Sequence, residues 1–352
     1  MNEARNAATQ PFHLQPAFAN PAVVLRGWYA VCRSEDLPAG RALGVDVARQ
    51  HLAVWRGASG AVHATDGFCR HMGTDLAIGS VVGEHLRCFF HHWTFDGSGR
   101  CVRIPVTDAP PDRAHTHGWA TSERYGLVWV FPDATAPWPL PEFPGAEGEP
   151  VVWRHGRPIL RTCHHHVCMI NGMDVQHLET VHGMRLDLDA RLDEDGALFD
   201  VVLAGAPHRG TRRGRAAHAL LGGFYSYSMR YQAGTVGLLT TVRDTRLLGR
   251  YRLPEIRMLF AYRPLPDGGT WIQPTFIAPA GGSARSRAAA QARLAAMAAG
   301  FRMLRDEDGQ IYDNIRFDPQ AMLPIDGPVA RYVGWINRQA PSAWTGAPLE
   351  GA

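Results

Sequence analysis

The hydrophobic and polar positions divide this chain into two unlike halves. Between Trp28 and Phe131 the apolar residues come in short runs: Trp28–Cys32, His51–Arg56, Ala61–Thr65, His85–Phe90, Trp93–Asp96, Cys101–Ile104 and Leu127–Phe131. Turns at Gly57-Ala-Ser-Gly60 and Gly97-Ser-Gly99 punctuate them, so the pattern predicts strands joined by hairpins. Many short strands within the first third of a chain predict a small β-sandwich or barrel. Pro132, Pro137, Pro139, Pro141, Pro144 and Pro150 then exclude both helix and central strand and mark a linker.

Beyond the linker the elements lengthen. Arg157–Cys168, Gly222–Ala233, Ile256–Arg263 and Thr270–Ala278 read as strands, with Pro264–Gly269 turning between the last two. Ser283–Leu304 is rich in alanine and arginine and favours a long helix. The expected class is α+β, an all-β N-terminal domain followed by an antiparallel sheet around a long C-terminal helix. The expected divisions are an arm over 1–24, a first domain over 25–133, a linker over 134–150 and a second domain over 151–352.

Composition narrows the class of function. With 352 residues the chain is long enough for two cores. A net charge of +3 is too small to suggest nucleic acid as a partner. The chain has no lysine, so all 36 basic residues are arginine. No apolar run is long enough to span a bilayer, and Met1–Asn20 lacks the pattern of a secretory signal. These features lead us to expect a cytoplasmic protein with no membrane partner. Six cysteines in such a chain read as thiols or metal ligands rather than disulfides.

Two constellations carry chemistry. Cys69-Arg-His71 and Cys88-Phe-Phe-His91 lie on two loops of the β domain, sixteen residues apart. Two thiolates and two imidazoles suit a [2Fe–2S] cluster in which histidines replace cysteines on one iron, the Rieske arrangement. A structural zinc site is the alternative, but its ligands usually run Cys-x2–4-Cys and then His-x3–5-His. The second constellation is Asn171-x2-Asp174-x2-His177-x4-His182. Two imidazoles and a carboxylate on one face of a metal suit ferrous iron that must meet dioxygen. On a regular helix His177 and His182 would stand roughly 140° apart. A π-type widening or a helix end is therefore expected between them. His164-His165-His166 reads as ordinary strand, because alternate side chains of a strand point to opposite faces and cannot share one metal.

Taken together, these residues resemble the Rieske non-heme iron oxygenases, over roughly residues 27 to 340. The loops match the oxygenase type rather than the respiratory type, since Thr74, Phe90 and Trp93 stand where the latter has disulfide cysteines and a serine. His92 departs from the family pattern, which has glycine there. The resemblance implies a helix-grip (START-like) catalytic domain. It implies a cluster on Cys69, His71, Cys88 and His91, and a mononuclear Fe(II) on His177, His182 and Asp308, with Asp306 the main rival for the third position. It makes Asp174 a bridge from a neighbouring subunit's cluster, for which His91 is the best match, and so implies a homotrimer. Pro324–Trp335 and Ser122–Trp129 are similar to the branch containing ketosteroid hydroxylases, N- and O-demethylases and aminopyrrolnitrin oxygenases.

The implied activity is that of a terminal oxygenase. It would take electrons from a separate flavin- or ferredoxin-type NAD(P)H-dependent reductase and use O2 to hydroxylate, demethylate or N-oxidise a small organic substrate. A Rieske ferredoxin-like electron carrier is the competing reading; it needs only the first third of the chain.

Overall fold

The computed structural model describes residues 16–346, apart from 184–185, 211, 222–223, 242–245, 249, 253 and 319–320. Most of the expected N-terminal arm lies outside the described residues, as does the start of the expected strand Gly222–Ala233.

The first half holds two antiparallel sheets. In the larger, Tyr29–Arg33, Leu127–Phe131, Gly118–Arg124, Val62–Asp66, Gln50–Arg56 and Ala42–Val47 are neighbours in that order. Gly118–Arg124 does not stand out by hydrophobic pattern. Its backbone is secured on both sides, by Leu127–Phe131 and Val62–Asp66. The smaller sheet joins Ser80–Val82, His85–Arg87, Thr94–Phe95 and Cys101–Arg103. The strand expected over His85–Phe90 ends at Arg87, because Cys88–Phe90 enter the turn that bears the second Cys/His pair.

Residues 132–150 carry neither helix nor strand. The second half is built on one antiparallel sheet. Its central path is Val151–His155, Thr270–Pro279, Ile256–Pro264, Val236–Thr241, Tyr225–Gln232, Leu198–Pro207 and Leu186–Asp195, and Ile159–Arg161 also pairs with Thr270–Pro279. Among the described residues five α-helices accompany it: α1 His165–Ile170, α2 Val175–Thr180, α3 Arg212–Leu221, α4 Ala284–Tyr312 and α5 Gly327–Ile336. Helix α4 is capped by Ser283, whose hydroxyl accepts from the Ser286 N–H while the Ser286 side chain answers the Ser283 N–H. It lies along the Val151–His155 and Thr270–Pro279 strands and buries Ala290 and Leu294. It also runs eight residues beyond the expected end at Leu304, which places Asp308 on the helix. Among the described residues no helix is long and apolar enough to cross a membrane.

The reading of Arg157–Cys168 as one strand needs correction. Only Ile159–Arg161 is extended; His165–Ile170 is α1, capped by His164, whose Nδ1 accepts from the His166 N–H. All six residues of α1 are buried, so no polar face supplies the helical period. The argument that the three histidines cannot share a metal rested on strand geometry and falls with it.

The two halves are not independently packed. One apolar cluster draws on Trp28, Trp129 and Phe131 from the first half, Leu140 and Phe143 from the proline-rich segment, and Val236, Leu259 and Ile277 from the second sheet. The C-terminal segment returns to the first half, where Trp344 packs against Tyr29 and Trp119 at ring separations of 5.8 and 5.3 Å. We expect Trp344→Ala to cost about 3 kcal/mol through lost burial and the cavity left behind. Urea unfolding checks this; an unchanged midpoint would contradict it.

Candidate metal centres

Cys69 and His71 stand on the turn after Val62–Asp66, and Cys88 and His91 on the turn after His85–Arg87. Backbone bonds close the turns: Cys69 N–H donates to the Thr74 carbonyl at 2.9 Å, and Cys88 N–H to the Trp93 carbonyl at 2.8 Å. The two thiols are buried. Burial pushes the Cys69 thiol up to about 12, against a hydrogen bond from the His71 backbone, with Cys88 close enough to add to the rise. A resident cation would reverse that preference and hold the thiolate.

The imidazoles of His71 and His91 lie at the surface with their Nδ1 atoms 3.1 Å apart. Trp93 stacks almost parallel on His71, with centroids 4.5 Å apart, and Phe90 packs on His91. The nitrogens thus form one pair and the sulfurs another. Only two sets of three or more His, Cys or carboxylate groups have all their ligand atoms within 4.8 Å of one another among the described residues, and these four residues do not form one. A single tetrahedral ion would draw all four donors together. A two-iron cluster with thiolates at one end and imidazoles at the other fits the spread.

His92, beside this centre, has φ +57°. A non-glycine residue is strained in the left-handed region, which gives a physical reason for glycine being the commoner residue there.

The second centre is organised by the ends of α2. Asp174 caps its start, with Oδ1 accepting from the N–H groups of Gln176 at 2.9 Å and His177 at 3.3 Å. The helix ends at Thr180. Beyond it the His177 carbonyl accepts both the Val181 N–H at 2.8 Å and the His182 N–H at 3.4 Å. The second bond spans five residues, so both the helix end and the local widening anticipated from the spacing are present. They bring the two rings to 5.2 Å between centroids.

Each ring is held through its Nδ1. His177 Nδ1 bonds the Asp174 backbone carbonyl, and His182 Nδ1 lies 2.7 Å from Glu307 Oε2. Such outer partners fix the tautomer and aim the remaining nitrogen. Asp308, reaching over from α4, completes a set with His177 and His182 whose ligand atoms all lie within 4.8 Å of one another. Its Oδ1 is 3.2 Å from His182 Nε2 but lacks hydrogen-bond geometry, and it is a buried oxygen without a hydrogen-bond partner. Burial raises the Asp308 pKa against the two imidazoles and an Asn171 side-chain bond that lower it, and burial also lowers the His177 pKa. An orphaned carboxylate oxygen facing two imidazoles is a set that a divalent cation would satisfy.

Asp306 is turned away and bonded to Arg305 at 2.5 Å, and Asp313 pairs with Arg161 at 3.2 Å. Glu307 carries no signal in the sequence, yet its carboxylate is the partner of His182. An acid one position before a ligand gives no warning of this, because the contact depends on α4 bringing Glu307 against the turn that follows α2. Asp174 meets His177 through its cap and its backbone carbonyl. A cavity of about 260 Å³ lies elsewhere, between α4 and the Val151–His155 strand, lined by Arg154, Arg157, Phe276, Arg302 and Arg305. It shares no residue with either centre.

Residues 27–136 match the family model of the Rieske [2Fe–2S] domain. The chain is 34% identical over 162 residues to the cholesterol 7-desaturase of Bombyx mori, covering 46% of this chain and 36% of that protein. It is 34% identical over 169 residues to the oxygenase component of 3-ketosteroid-9-alpha-monooxygenase from Rhodococcus rhodochrous, covering 46% and 45%. The chain thus spans less than half the length of these curated relatives. The crystal structure of dicamba monooxygenase with non-heme iron and dicamba superposes with a TM-score of 0.59 at 19% identity, covering 88% of this chain and 95% of that one. Both halves therefore share its fold.

Replacing His92 with glycine relieves left-handed strain at the cost of glycine's extra freedom in the unfolded chain. We expect a stability change within about 1 kcal/mol of zero, on the stabilising side, with the visible absorption of the purified protein unaltered. A loss of colour would instead make His92 a ligand.

Proposed function

We propose that this chain belongs to the Rieske-type non-heme iron oxygenases and is the terminal oxygenase of a system fed by a separate NAD(P)H-dependent reductase. The observation that carries this reading is the three-donor set of His177, His182 and Asp308, with its orphaned carboxylate oxygen. An electron carrier has no use for it. Cys69, Cys88, His71 and His91 would hold a [2Fe–2S] cluster, and His177, His182 and Asp308 a mononuclear Fe(II). When bound, these groups supply single electrons and an open metal position for activating O2.

The residues of the chain do the rest. The Asp174 carbonyl and Glu307 orient His177 and His182, and burial keeps His177 neutral and available as a donor. Asn171 steadies Asp308. Asp174 commits Oδ1 to the start of α2, and its second oxygen makes none of those bonds. Among the described residues, no hydrogen bond or ion pair joins Asp174 to His71 or His91 within one chain, and both histidines lie at the surface. We assign the second oxygen to the neighbouring chain's His91.

Two apolar patches support that assembly. Phe68, Met72, Phe89 and Phe90 are exposed around the Cys/His turns. Met322, Leu323 and Ile325 are exposed in the stretch before α5, which Gln176 ties to α2 through a 2.7 Å bond to Asp326. One patch against the other makes a head-to-tail contact that closes into a ring, here a homotrimer. The relatives' names point to a small organic substrate, aromatic or polycyclic, and a cytoplasmic setting suits the reductase.

Asp174→Ala tests the bridge. Substrate-coupled NAD(P)H oxidation should fall by 10- to 100-fold or more, while the cluster is still reduced and the chain still sediments as a trimer. Retained turnover would refute the bridging role.

A further inference from the structure

His164, His165 and His166 form a second set, away from both centres, whose ligand atoms lie within 4.8 Å of one another. Their ring centroids are 4.2 to 4.6 Å apart, and all three residues are buried. His165 has no hydrogen-bond partner on either ring nitrogen, and His166 has none on Nε2. Buried side-chain nitrogens are normally bonded to protein, water or an ion. Three orphans in one cluster call for an occupant.

We propose that the three imidazoles bind one late first-row transition-metal ion, Cu+ or Zn2+. Neighbouring backbone aims the donors. His164 donates to the Asn20 backbone, so its lone pair resides on Nδ1, where it accepts the His166 N–H at a long 3.3 Å; the ion would replace that weak bond. His166 lies within a long 3.3 Å of the Ala19 N–H on Nδ1 and also meets the Ala17 backbone; with the ring proton on Nδ1 and given to Ala17, Nε2 carries the lone pair and has no partner among the described residues. Burial holds all three rings in the neutral form a metal requires. Imidazole nitrogen suits both copper and zinc. The set contains no thiolate or carboxylate, so the ion keeps its full charge in the interior, which favours the monovalent ion.

The position gives the ion a task. Phe18 stacks on His166 at 5.6 Å, and the Phe18 N–H donates to Asn337 Oδ1 just after α5. Gly234 approaches so closely that a Cβ there would stand 3.0 Å from His166 Nε2 and 2.6 Å from Ile336 Cδ1. The ion would pin the segment Ala17–Asn20 to the start of α1 and to α5.

The test uses the full-length, iron-loaded protein, produced with added copper in one arm and added zinc in the other and then dialysed against chelator. One equivalent of copper or zinc per chain should remain, and anomalous scattering at that metal's edge should peak among the three rings. His165→Gln should cut that equivalent at least tenfold and leave the iron content unchanged. No peak among the rings in either arm, or a peak only between His177, His182 and Asp308, would overturn the proposal. So would undiminished copper or zinc in His165→Gln. The crystallographic arm needs only the wild-type chain and stands even if the variant fails to fold.

Discussion

A helix that stops in the right place is the constraint on which this molecule depends. His177 and His182 are five residues apart, a spacing that turns them away from each other on any uninterrupted helix. Helix α2 is a short piece beginning at the Asp174 cap and closing on the doubly used His177 carbonyl. Because it ends there, both imidazoles face Asp308 on α4. The price of the arrangement is a buried carboxylate oxygen without a partner, and that unfavourable group defines where a cation belongs.

The two centres solve the same problem in opposite ways. At the Cys/His turns, the sulfurs are buried and the imidazoles are left at the surface. At the second centre, the His182 side chain is nearly enclosed and Asp308 mostly so. The exposed imidazoles stand beside an apolar rim of Phe68, Met72, Phe89 and Phe90. Enclosed donors belong where water must be limited. The shared core of Trp28, Leu140 and Ile277 makes the chain one framework, so the position of one centre fixes the position of the other.

Much of this was legible in the sequence because the chemistry is local. Cys69-x-His71, Cys88-x2-His91 and the spacing around Asp174 are short-range facts, and the expected break between His177 and His182 follows from helical geometry alone. Hairpins such as Gln50–Arg56 with Val62–Asp66 were visible for the same reason. What escaped notice depends on tertiary contact. The buried helix α1 has no polar face to reveal its period, so it was taken for strand. Glu307 becomes a partner of His182 only because α4 extends past Leu304 and reaches the turn that follows α2. The return of Trp344 to the first half is a long-range packing event that no local pattern announces.

The central claim is that one chain carries two iron stations, one of them set by the broken helix. Iron analysis of the purified, reconstituted protein alongside its His182→Ala variant tests this most directly. The account predicts three irons per chain for the wild type and two for the variant, with the Rieske electron paramagnetic signal retained in both. Two irons in the wild type, or the same count in both proteins, would contradict it.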